Sequence, residues 1–360
     1  MTRLFSTDYL YKKPCLPDDG KRLKSKVDIY VLNAFASLKV LITGGTGFIG
    51  SNIANTLSSN NDNEVIALDD LSLGIPSNLC KEVKIVKGSV MDYQLILELC
   101  RGCDYVFHHA AKSSTPMFKN DPREGVDTNV MGFMNVMESS KRNNVKKVIY
   151  ASSSSVYNGL QMPFKESQGI MPKTFYESSF YCREILATSY YLENGVNSIG
   201  LRYFSVYGPN EKHKGIFANN ISQFLWDIKD GISPTVYDHG LQTRDFTFVE
   251  DVVKANILAM KSEWINHGIY NIGTGVQTSF NKIIEIINGI LGTQIRPTYI
   301  TCPIKNYVKD TLADISLARS ELGYEPEWNV EDGIKKIVVD EMELQKNKQK
   351  NTTDGIIYNS

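Results

Sequence analysis

The chain has 360 residues, a formal net charge of -1, and a hydrophobic fraction of 42%. This size allows one large domain or two modest ones, and the nearly balanced charge, spread along the chain, gives no indication of a nucleic-acid partner. No apolar run reaches the roughly 20 residues that a membrane-spanning helix needs, so we expect no membrane partner either.

Residues 1–37 are polar and precede the first clear strand pattern. Their basic residues include Lys12, Lys13, Lys21, Arg22, Lys24 and Lys26. The segment lacks the apolar stretch and small-residue cleavage site of a signal peptide, so we expect either a poorly ordered extension or upstream sequence included by a misplaced start codon. The chain's six cysteines are scattered and form no disulfide framework. We expect a cytoplasmic protein.

From residue 38 onward, short apolar runs alternate with helical patterns. The predicted strands are 38–43, 64–69, 83–87, 105–109, 147–152 and 197–203. The predicted helices among them are 48–58, 126–143 and 175–194. This alternation predicts an α/β protein, a Rossmann-type doubly wound parallel sheet with helices on both faces.

The pattern loosens after Pro209. Short strands are mixed there with predicted helices at 217–229, 249–261, 280–291, 315–322 and 330–345. We therefore predict a dinucleotide-binding Rossmann domain at 38–209. We expect a smaller, mainly substrate-binding portion at 210–345, interleaved with that domain, and a polar tail at 346–360.

The stretch TGGTGFIG, residues 43–50, joins the first predicted strand to the first helix. Gly44 permits the tight turn, Gly47 leaves room for a pyrophosphate, and Gly50 allows close packing of helix on sheet. The free N–H groups at the helix start then face the phosphates. Asp69 ends the second strand and can accept hydrogen bonds from ribose hydroxyls. Its charge would repel a 2′-phosphate, and no Arg follows closely, so NAD is favoured over NADP.

The GxxGxxG form of this turn resembles the extended short-chain dehydrogenase/reductase family, which includes nucleotide-sugar epimerases and dehydratases. Five further segments match the family in order: VFHHAA (106–111), TNV (128–130), YASSSSVY (150–157), LRYFSVYGP (201–209) and TRDFTFVEDV (243–252). The match spans about residues 38–333. The cofactor contacts that the turn and the resemblance predict are Gly44, Thr46, Gly47, Phe48, Ile49, Gly50, Asp69, Ala110, Ala111 and Tyr176.

The resemblance implies that Tyr176 takes the proton from a sugar hydroxyl while a hydride passes from the same carbon to the nicotinamide. Ser153 aligns with the residue that hydrogen-bonds the same hydroxyl. An alcohol loses hydride readily only as its proton leaves, so a base must lie within hydrogen-bond reach. With an ordinary pKa of about 10, only roughly one Tyr in a thousand is ionised at neutral pH. Nearby positive charge must therefore lower the pKa of Tyr176.

The sequence departs from the family in the helix that follows Tyr176. The family pattern is YxxxK, and this chain has Phe180 in place of the Lys. In the family that Lys holds the nicotinamide ribose and helps to lower the pKa of the Tyr. Another cation could substitute for it, and Lys173 and Arg183 are near in sequence.

The resemblance also implies contacts with a nucleotide-sugar substrate. Ser205 stands in place of an Asn that contacts the substrate diphosphate, and Arg244 matches an Arg that does so through bidentate hydrogen bonds. Asn129 either lies near the substrate or caps its own helix. The expected substrate contacts are Ser114, Asn129, Ser205 and Arg244. We predict no metal site.

The residues after Ser153 distinguish between the reactions of the family. Related 4,6-dehydratases carry Asp-Glu there, and decarboxylases keep the Glu, whereas this chain has Ser154 and Ser155. Our first hypothesis is therefore an NAD-dependent nucleotide-sugar 4-epimerase, with a UDP-hexose as substrate. The alternatives are a non-catalytic protein that binds NAD or a nucleotide sugar, and a dehydrogenase or reductase of a sugar-like substrate. The family also implies a homodimer through helices 126–143 and 175–194.

Overall fold

A computed structural model describes residues 37–304 and 307–354, with side chains described as far as Glu343. Apart from its last residue, the predicted N-terminal extension lies outside the described residues. The strands are β1 (Lys39–Thr43), β2 (Glu64–Asp69), β3 (Lys84–Lys87), β4 (Tyr105–His108), β5 (Lys147–Ser153), β6 (Ser198–Tyr203), β7 (Val206–Tyr207), β8 (Thr235–Tyr237), β9 (Thr243–Asp245), β10 (Thr247–Phe248), β11 (His267–Ile272), β12 (Gln277–Ser279) and β13 (Thr298–Ile300).

The α-helices follow the strands in the alternating order that the sequence predicts. They are α1 (Phe48–Ser58), α2 (Tyr93–Leu99), α3 (Pro122–Val126), α4 (Gly132–Arg142), α5 (Phe175–Asn194), α6 (Asn220–Lys229), α7 (Val249–Lys261), α8 (Phe280–Leu291) and α9 (Val330–Asp354). The prediction missed α2, which is a short helix of seven residues capped by the side chain of Asp92.

The central sheet has seven parallel strands in the order β3-β2-β1-β4-β5-β6-β11. Strand β1 lies at the point where the order reverses, with Leu41 opposite Ile66 on one side and Val106 on the other. Such a reversal opens a crevice at the carboxyl ends of the strands, where ligands of doubly wound sheets bind. Helices cover both faces, so β1 is buried on both sides. The predicted fold class is confirmed.

The sheet draws elements from both portions of the chain. Strand β11 pairs in parallel with β6, and its Tyr270 lies opposite Leu201. Helix α7 also comes after Pro209, and its Val252 and Ile257 belong to the same hydrophobic core as β1. The two portions are thus interwoven, while the boundary at residue 209 stays a prediction.

The helix predicted at 126–143 starts earlier in the structure, at Pro122, and contains a π-helical turn. Helix α3 ends at Val126, a π-helical turn follows at Asp127–Met131, and α4 begins at Gly132. Asn129 lies inside that turn, and its side-chain amide clamps the backbone of Lys112. The segment thus remains helical through the π-turn, as is usual for π-bulges inside α-helices.

The remaining elements form a smaller core of their own. It contains Phe224 of α6, Phe248 of β10, Phe280 of α8 and Ile334 of α9. Helix α6 begins at Asn220 rather than at 217 because the side chain of Asn219 caps it. Helix α9 continues to Asp354, so the part of the tail predicted at 346–354 is helical in its backbone, and the first glycine beyond it is Gly355.

The helix predicted at 315–322 lies at 316–322 in the structure. Its last part is a π-helical turn at Ala318–Leu322, which ends at Gly323 in the left-handed conformation. Glycine adopts that conformation without the steric cost that other residues meet. The local glycine signal therefore placed the end of this element correctly.

Candidate active site

A cavity of about 390 Å³ opens at the carboxyl ends of β1, β2, β4 and β5. Its wall is built from the glycine-rich turn, the strand ends, the start of α5 and a loop over residues 211–219. Ligand sites typically have volumes of about 300–1,000 Å³. The cavity thus lies at the topological switch point, where a dinucleotide is expected.

The glycine-rich turn is shaped by close backbone contacts. Gly44 has a φ of +67°, and a Cβ there would lie 2.7 Å from the backbone nitrogen of Ala110. A Cβ on Gly50 would lie 2.2 Å from the carbonyl oxygen of Gly44. A Cβ on Gly47 would meet only that same oxygen, at 3.2 Å, and Gly47 lines the cavity. Gly44 and Gly50 therefore have no room for a side chain, whereas Gly47 is less crowded and faces the cavity.

Helix α1 begins directly after this turn, with Gly47 at its N-cap. Because glycine has no side chain to cap the helix, the first N–H groups of α1 are left for a ligand. The cavity wall here includes Phe48, Ile49 and Gly50, and across the strands Ala110 and Ala111. Five predicted cofactor contacts thus reach the cavity beside the turn.

Asp69 lies at the end of β2 and is largely buried in the cavity wall. The backbone N–H of Thr46 donates to Oδ2 at 3.0 Å, and that of Leu71 donates to Oδ1 at 2.9 Å. Each carboxylate oxygen keeps a further lone pair, so Asp69 can still accept ribose hydroxyls. Thr46 itself is fully buried and does not line the cavity. The structure therefore gives Thr46 the task of holding Asp69.

Ser153 and Tyr176 meet at the far end of the cavity. Their hydroxyl oxygens are 3.1 Å apart, and both residues line the wall. Ser153 ends β5, and Tyr176 lies in the first turn of α5, which the side chain of Thr174 caps. Burial raises the pKa of Tyr176 above its ordinary value, although the Ser153 hydrogen bond and the charge of Arg183 act in the opposite direction.

Phe180 occupies the next turn of α5. Its ring centroid lies 4.9 Å from that of Tyr176, and the guanidinium carbon of Arg183 lies 4.7 Å from the Phe180 centroid. Arg183 is fully buried. The ammonium of Lys173 instead lies against Gly159. Of the two nearby cations, the fold thus brings Arg183 behind the Phe180 ring.

His108 and His109 lie on the strand floor beside Arg183. Burial and the charge of Arg183 lower the pKa of His109 to about 3 and that of His108 well below its ordinary value. Nε2 of His109 lies 2.9 Å from the Tyr203 hydroxyl, and His109 lines the cavity. Both imidazoles are therefore neutral at neutral pH.

Ser205 and Ser114 lie differently with respect to the cavity. Ser205 lines it, with a left-handed φ of +34°. Ser114 is not part of the wall, and its buried hydroxyl has no hydrogen-bond partner within residues 37–304 and 307–354. The structure thus brings one of the two predicted serine contacts to the cavity.

Asn129 and Arg244 also lie outside the cavity wall. Asn129 is fully buried: its Oδ1 accepts from the Lys112 N–H at 2.8 Å, and its Nδ2 donates to the Ser179 hydroxyl at 3.0 Å. It does not cap a helix, because it lies within the π-turn. The guanidinium of Arg244 donates to the carbonyl oxygens of Val308 and Lys309 in the smaller core region.

The loop after Pro209 supplies cavity residues that sequence reasoning missed. Glu211 is buried and accepts from the Lys214 ammonium at 3.0 Å and from the Asn219 N–H at 2.7 Å. Lys214 and His213 also line the wall. The signal available in the sequence was a run of charged residues, EKHK, directly after the matched segment LRYFSVYGP.

Further reactive groups within residues 37–304 and 307–343 include side chains of metal-binding types and buried thiols. No cluster of three or more His, Cys, Asp or Glu residues suited to a metal ion occurs in the part of the chain that the structure describes. Burial raises the pKa of Cys100 to about 12 and that of Cys103 to about 11, so both thiols are protonated and unreactive. The described helices include none that is long and apolar enough to span a membrane.

The parallel sheet, the glycine-rich turn and the Ser153–Tyr176 pair together define a dinucleotide-dependent enzyme of the Rossmann class. Residues 40–273 match the model of the NAD dependent epimerase/dehydratase family. The chain belongs to this family, and NAD is its cofactor.

This chain is similar to members of the family both in sequence and in structure. The chain is 35% identical over 302 residues to a putative UDP-glucose 4-epimerase of Methanocaldococcus jannaschii, covering 83% of this chain and 97% of the relative. The structure of UDP-glucose 4-epimerase from Thermotoga maritima with UDP-glucose is similar at a TM-score of 0.81, with 31% identity, covering 86% of this chain and 100% of that one. UDP-glucuronic acid 4-epimerase from Bacillus cereus, in complex with UDP-glucuronic acid and NAD, has a TM-score of 0.75, 26% identity, and coverage of 83% and 97%.

Proposed function

We propose that the protein is an NAD-dependent 4-epimerase of nucleotide sugars and that its substrate is a UDP-hexose. The observation that carries this proposal is the Ser153–Tyr176 hydroxyl pair, with an oxygen separation of 3.1 Å, at the end of the cavity. The residues that follow on the wall are Ser154 and Ser155, which cannot supply the acid–base pair that loss of water or of carbon dioxide requires. Epimerisation at C4, unlike dehydration and decarboxylation, needs no such pair. UDP-sugars in related structures support the choice of nucleotide.

The chain fits the cofactor at the glycine-rich turn. The backbone at Gly44 and Gly50 has no room for a side chain, so the turn can approach a pyrophosphate closely. Asp69 keeps lone pairs for the adenosine ribose. Bound NAD supplies a reversible hydride acceptor at C4 of the sugar.

The two hydroxyl groups then control the proton. Tyr176 accepts the proton of the C4 hydroxyl as the C4 hydrogen departs as hydride, and Ser153 holds the same oxygen by a hydrogen bond. The keto sugar then rotates in the cavity so that its opposite face is presented. Tyr176 returns the proton to the carbonyl oxygen as hydride adds to that face. Because both the hydride and the proton return to the sugar, no net NADH forms and Tyr176 regains its starting charge.

We propose that residues 210–345 close over the nucleotide end of the substrate. Ser205 and Lys214 line the cavity and suit the diphosphate by hydrogen bonding and charge. Arg244 reaches the same group only if it exchanges its bonds to the carbonyls of Val308 and Lys309. Asn129 holds the loop at Lys112, and Ser114 belongs to the same loop. Both residues therefore position the cavity wall and do not contact the sugar.

We propose a homodimer formed by the helices predicted at 126–143 and 175–194. Four large apolar side chains are exposed there: Met131 by 45%, Phe175 by 60%, Ile185 by 51% and Leu192 by 74%. Ile185 and Leu192 are seven residues apart, so they share one face of α5. We expect a cytoplasmic location, supported by the free thiols of Cys100, Cys103, Cys182 and Cys302.

Incubation with a panel of substrates tests the function. The purified protein is incubated with NAD and with UDP-, GDP- and dTDP-hexoses, and the products are separated by chromatography. We expect a C4 epimer of a UDP-hexose without accumulation of NADH, and loss of this product in Tyr176→Phe. Accumulation of NADH would instead indicate a dehydrogenase, and NAD binding without turnover of any sugar would indicate a non-catalytic binding protein.

A further inference from the structure

Arg183 is a buried charge without an ionic partner. Its side chain is fully buried, and its guanidinium donates to the carbonyl oxygens of Asn129 at 2.7 Å, Ala110 at 3.0 Å and Ala151 at 3.4 Å. No carboxylate within residues 37–304 and 307–354 pairs with it. Burial of a charge is costly, and buried cations in proteins are normally paired with an anion. A cation kept in this state calls for a functional explanation.

The position of Arg183 relative to Tyr176 provides one. Tyr176, Phe180 and Arg183 are spaced by four and three residues on α5, so they lie on one face of the helix. The Phe180 ring contacts both of the others, with the guanidinium over its face. Such an interaction between a cation and an aromatic face is favourable. Because the space is filled by protein rather than by water, the charge acts on Tyr176 with little screening.

The other charged and titratable groups near this pair leave Arg183 as the acting cation. Glu177 raises the pKa of Tyr176, and its carboxylate accepts from Asn158 and from the Lys173 N–H. Glu184 is compensated by two hydrogen bonds from Arg202.

The strand side of the pair contributes no further charge. His108 and His109 are neutral, because burial and Arg183 depress their pKa values. Tyr150 is protonated, because burial raises its pKa. On the loop beside the cavity, the ammonium of Lys112 pairs with Glu124 at 2.8 Å.

We propose that Arg183 takes over the electrostatic role of the lysine that Phe180 replaces, stabilising the phenolate of Tyr176 from behind the Phe180 ring. This inference rests on the proposed function. When the proton of the sugar hydroxyl passes to the phenolate oxygen and the C4 hydrogen leaves as hydride, the phenolate charge is neutralised, and it is regenerated when both return. Arg183 is a positioning residue, because it lies behind the cavity wall and acts through Tyr176. Its bonds to Ala110 and Ala151 also fix two residues of the cavity wall.

The test measures the ionisation of Tyr176 directly, without substrate. The NAD-loaded protein is labelled with tyrosine carrying ¹³C at Cζ, and the Tyr176 resonance is assigned by its absence in Tyr176→Phe. Its midpoint is then followed against pH in wild type, Arg183→Gln, Arg183→Met and Arg183→Lys. Gln keeps the ability to donate to a carbonyl and removes the charge, whereas Lys keeps the charge. Arg142→Met, on the exposed end of α4, is the matched control for removal of an arginine.

We expect the Tyr176 midpoint to rise by at least about one pH unit in the neutral variants and to stay near the wild-type value in Arg183→Lys and Arg142→Met. Each unit of that shift lowers the phenolate fraction at neutral pH about tenfold. An unmoved midpoint in a folded neutral variant would overturn the proposal. So would a midpoint in Arg183→Lys that lies at least about one pH unit above the wild-type value, a measurement that needs neither neutral variant to fold.

The titration and the turnover assay can fail independently. If the midpoint moves as expected but no sugar is epimerised, the proposed function is wrong and the role of Arg183 stands. If epimerisation occurs while the midpoint is independent of the charge at position 183, the function stands and the role of Arg183 is wrong. If the function and the role of Arg183 are both correct, we expect kcat of the neutral Arg183 variants at neutral pH to fall in proportion to the phenolate fraction of Tyr176. Their KM should change little.

Discussion

Replacing Phe180 with lysine restores the family's YxxxK pattern, yet we expect this single change to destabilise the protein. A lysine ammonium in the place of the ring would lie about 4.7 Å from the guanidinium carbon of Arg183. At an effective dielectric constant of about 20, two positive charges at that distance repel each other by about 3.5 kcal/mol. Arg183 has no carboxylate partner among the described residues that would offset this. We therefore expect the folded protein to be less stable when position 180 is lysine while position 183 is arginine.

A double-mutant cycle measures this effect. The free energy of unfolding is determined in urea for wild type, Phe180→Lys, Arg183→Met and the combined variant, with Phe180→Met as the neutral control for loss of the ring. We expect Phe180→Lys to be less stable than Phe180→Met by about 2–3.5 kcal/mol, and the combined variant to recover most of that difference as a favourable coupling energy.

The four proteins of the cycle, without the Phe180→Met control, are then compared in their rates of epimerisation. We expect the combined variant to retain epimerase activity, because the lysine supplies the charge that the methionine removes. If Phe180→Lys is as stable as Phe180→Met, and the cycle shows no coupling, then the two positions do not interact through charge. That result would refute the reasoning from the distance between the ring and the guanidinium.

Three further predictions concern the cavity and its wall. Because the pKa of Tyr176 is raised, its basic form becomes more abundant as pH rises, so we expect kcat to increase up to tenfold per unit above neutral pH; a flat profile at saturating substrate would contradict this. Asp69→Ala should weaken NAD binding by about 1–3 kcal/mol through lost hydrogen bonds to the ribose, as titration calorimetry would measure, and unchanged affinity would exclude Asp69 from the site. Asn129→Ala should lower the free energy of unfolding by about 1–3 kcal/mol, because the backbone polar groups of Lys112 lose their partners; unfolding in urea checks this, and an unchanged value would show that the clamp is dispensable.

The sheet and the glycine-rich turn could be predicted because their signals are local. Buried parallel strands are short apolar runs, and the helices between them have their own period. The requirement for glycine at 44 and 50 follows from a turn whose geometry is set within eight residues. The sequence therefore predicted these strands to within one or two residues and the fold class correctly.

The place of Arg183 could not be predicted in this way. Its helical spacing puts it on the face of Tyr176, but whether it is buried or paired depends on the strands that pack against α5. Asn129 shows the same limit, because the partner of its side-chain amide is the backbone of Lys112, seventeen residues away in sequence. Arg244 was matched by motif, whereas its partners in the structure are carbonyls of a loop that had no recognisable pattern.

Strand β11 comes late in the chain, and this position has a consequence for folding during synthesis on the ribosome. Strand β6 is the edge of the sheet until β11, which ends at Ile272, has been made and paired with it. A nascent chain that has reached residue 209 contains the whole glycine-rich turn and the Ser153–Tyr176 pair, but its sheet exposes an open edge and lacks the covering helix α7. Open edges invite pairing with other chains. The cofactor-binding half is therefore complete in sequence well before it can be complete as a folded unit, and it must wait for more than sixty residues of the other half.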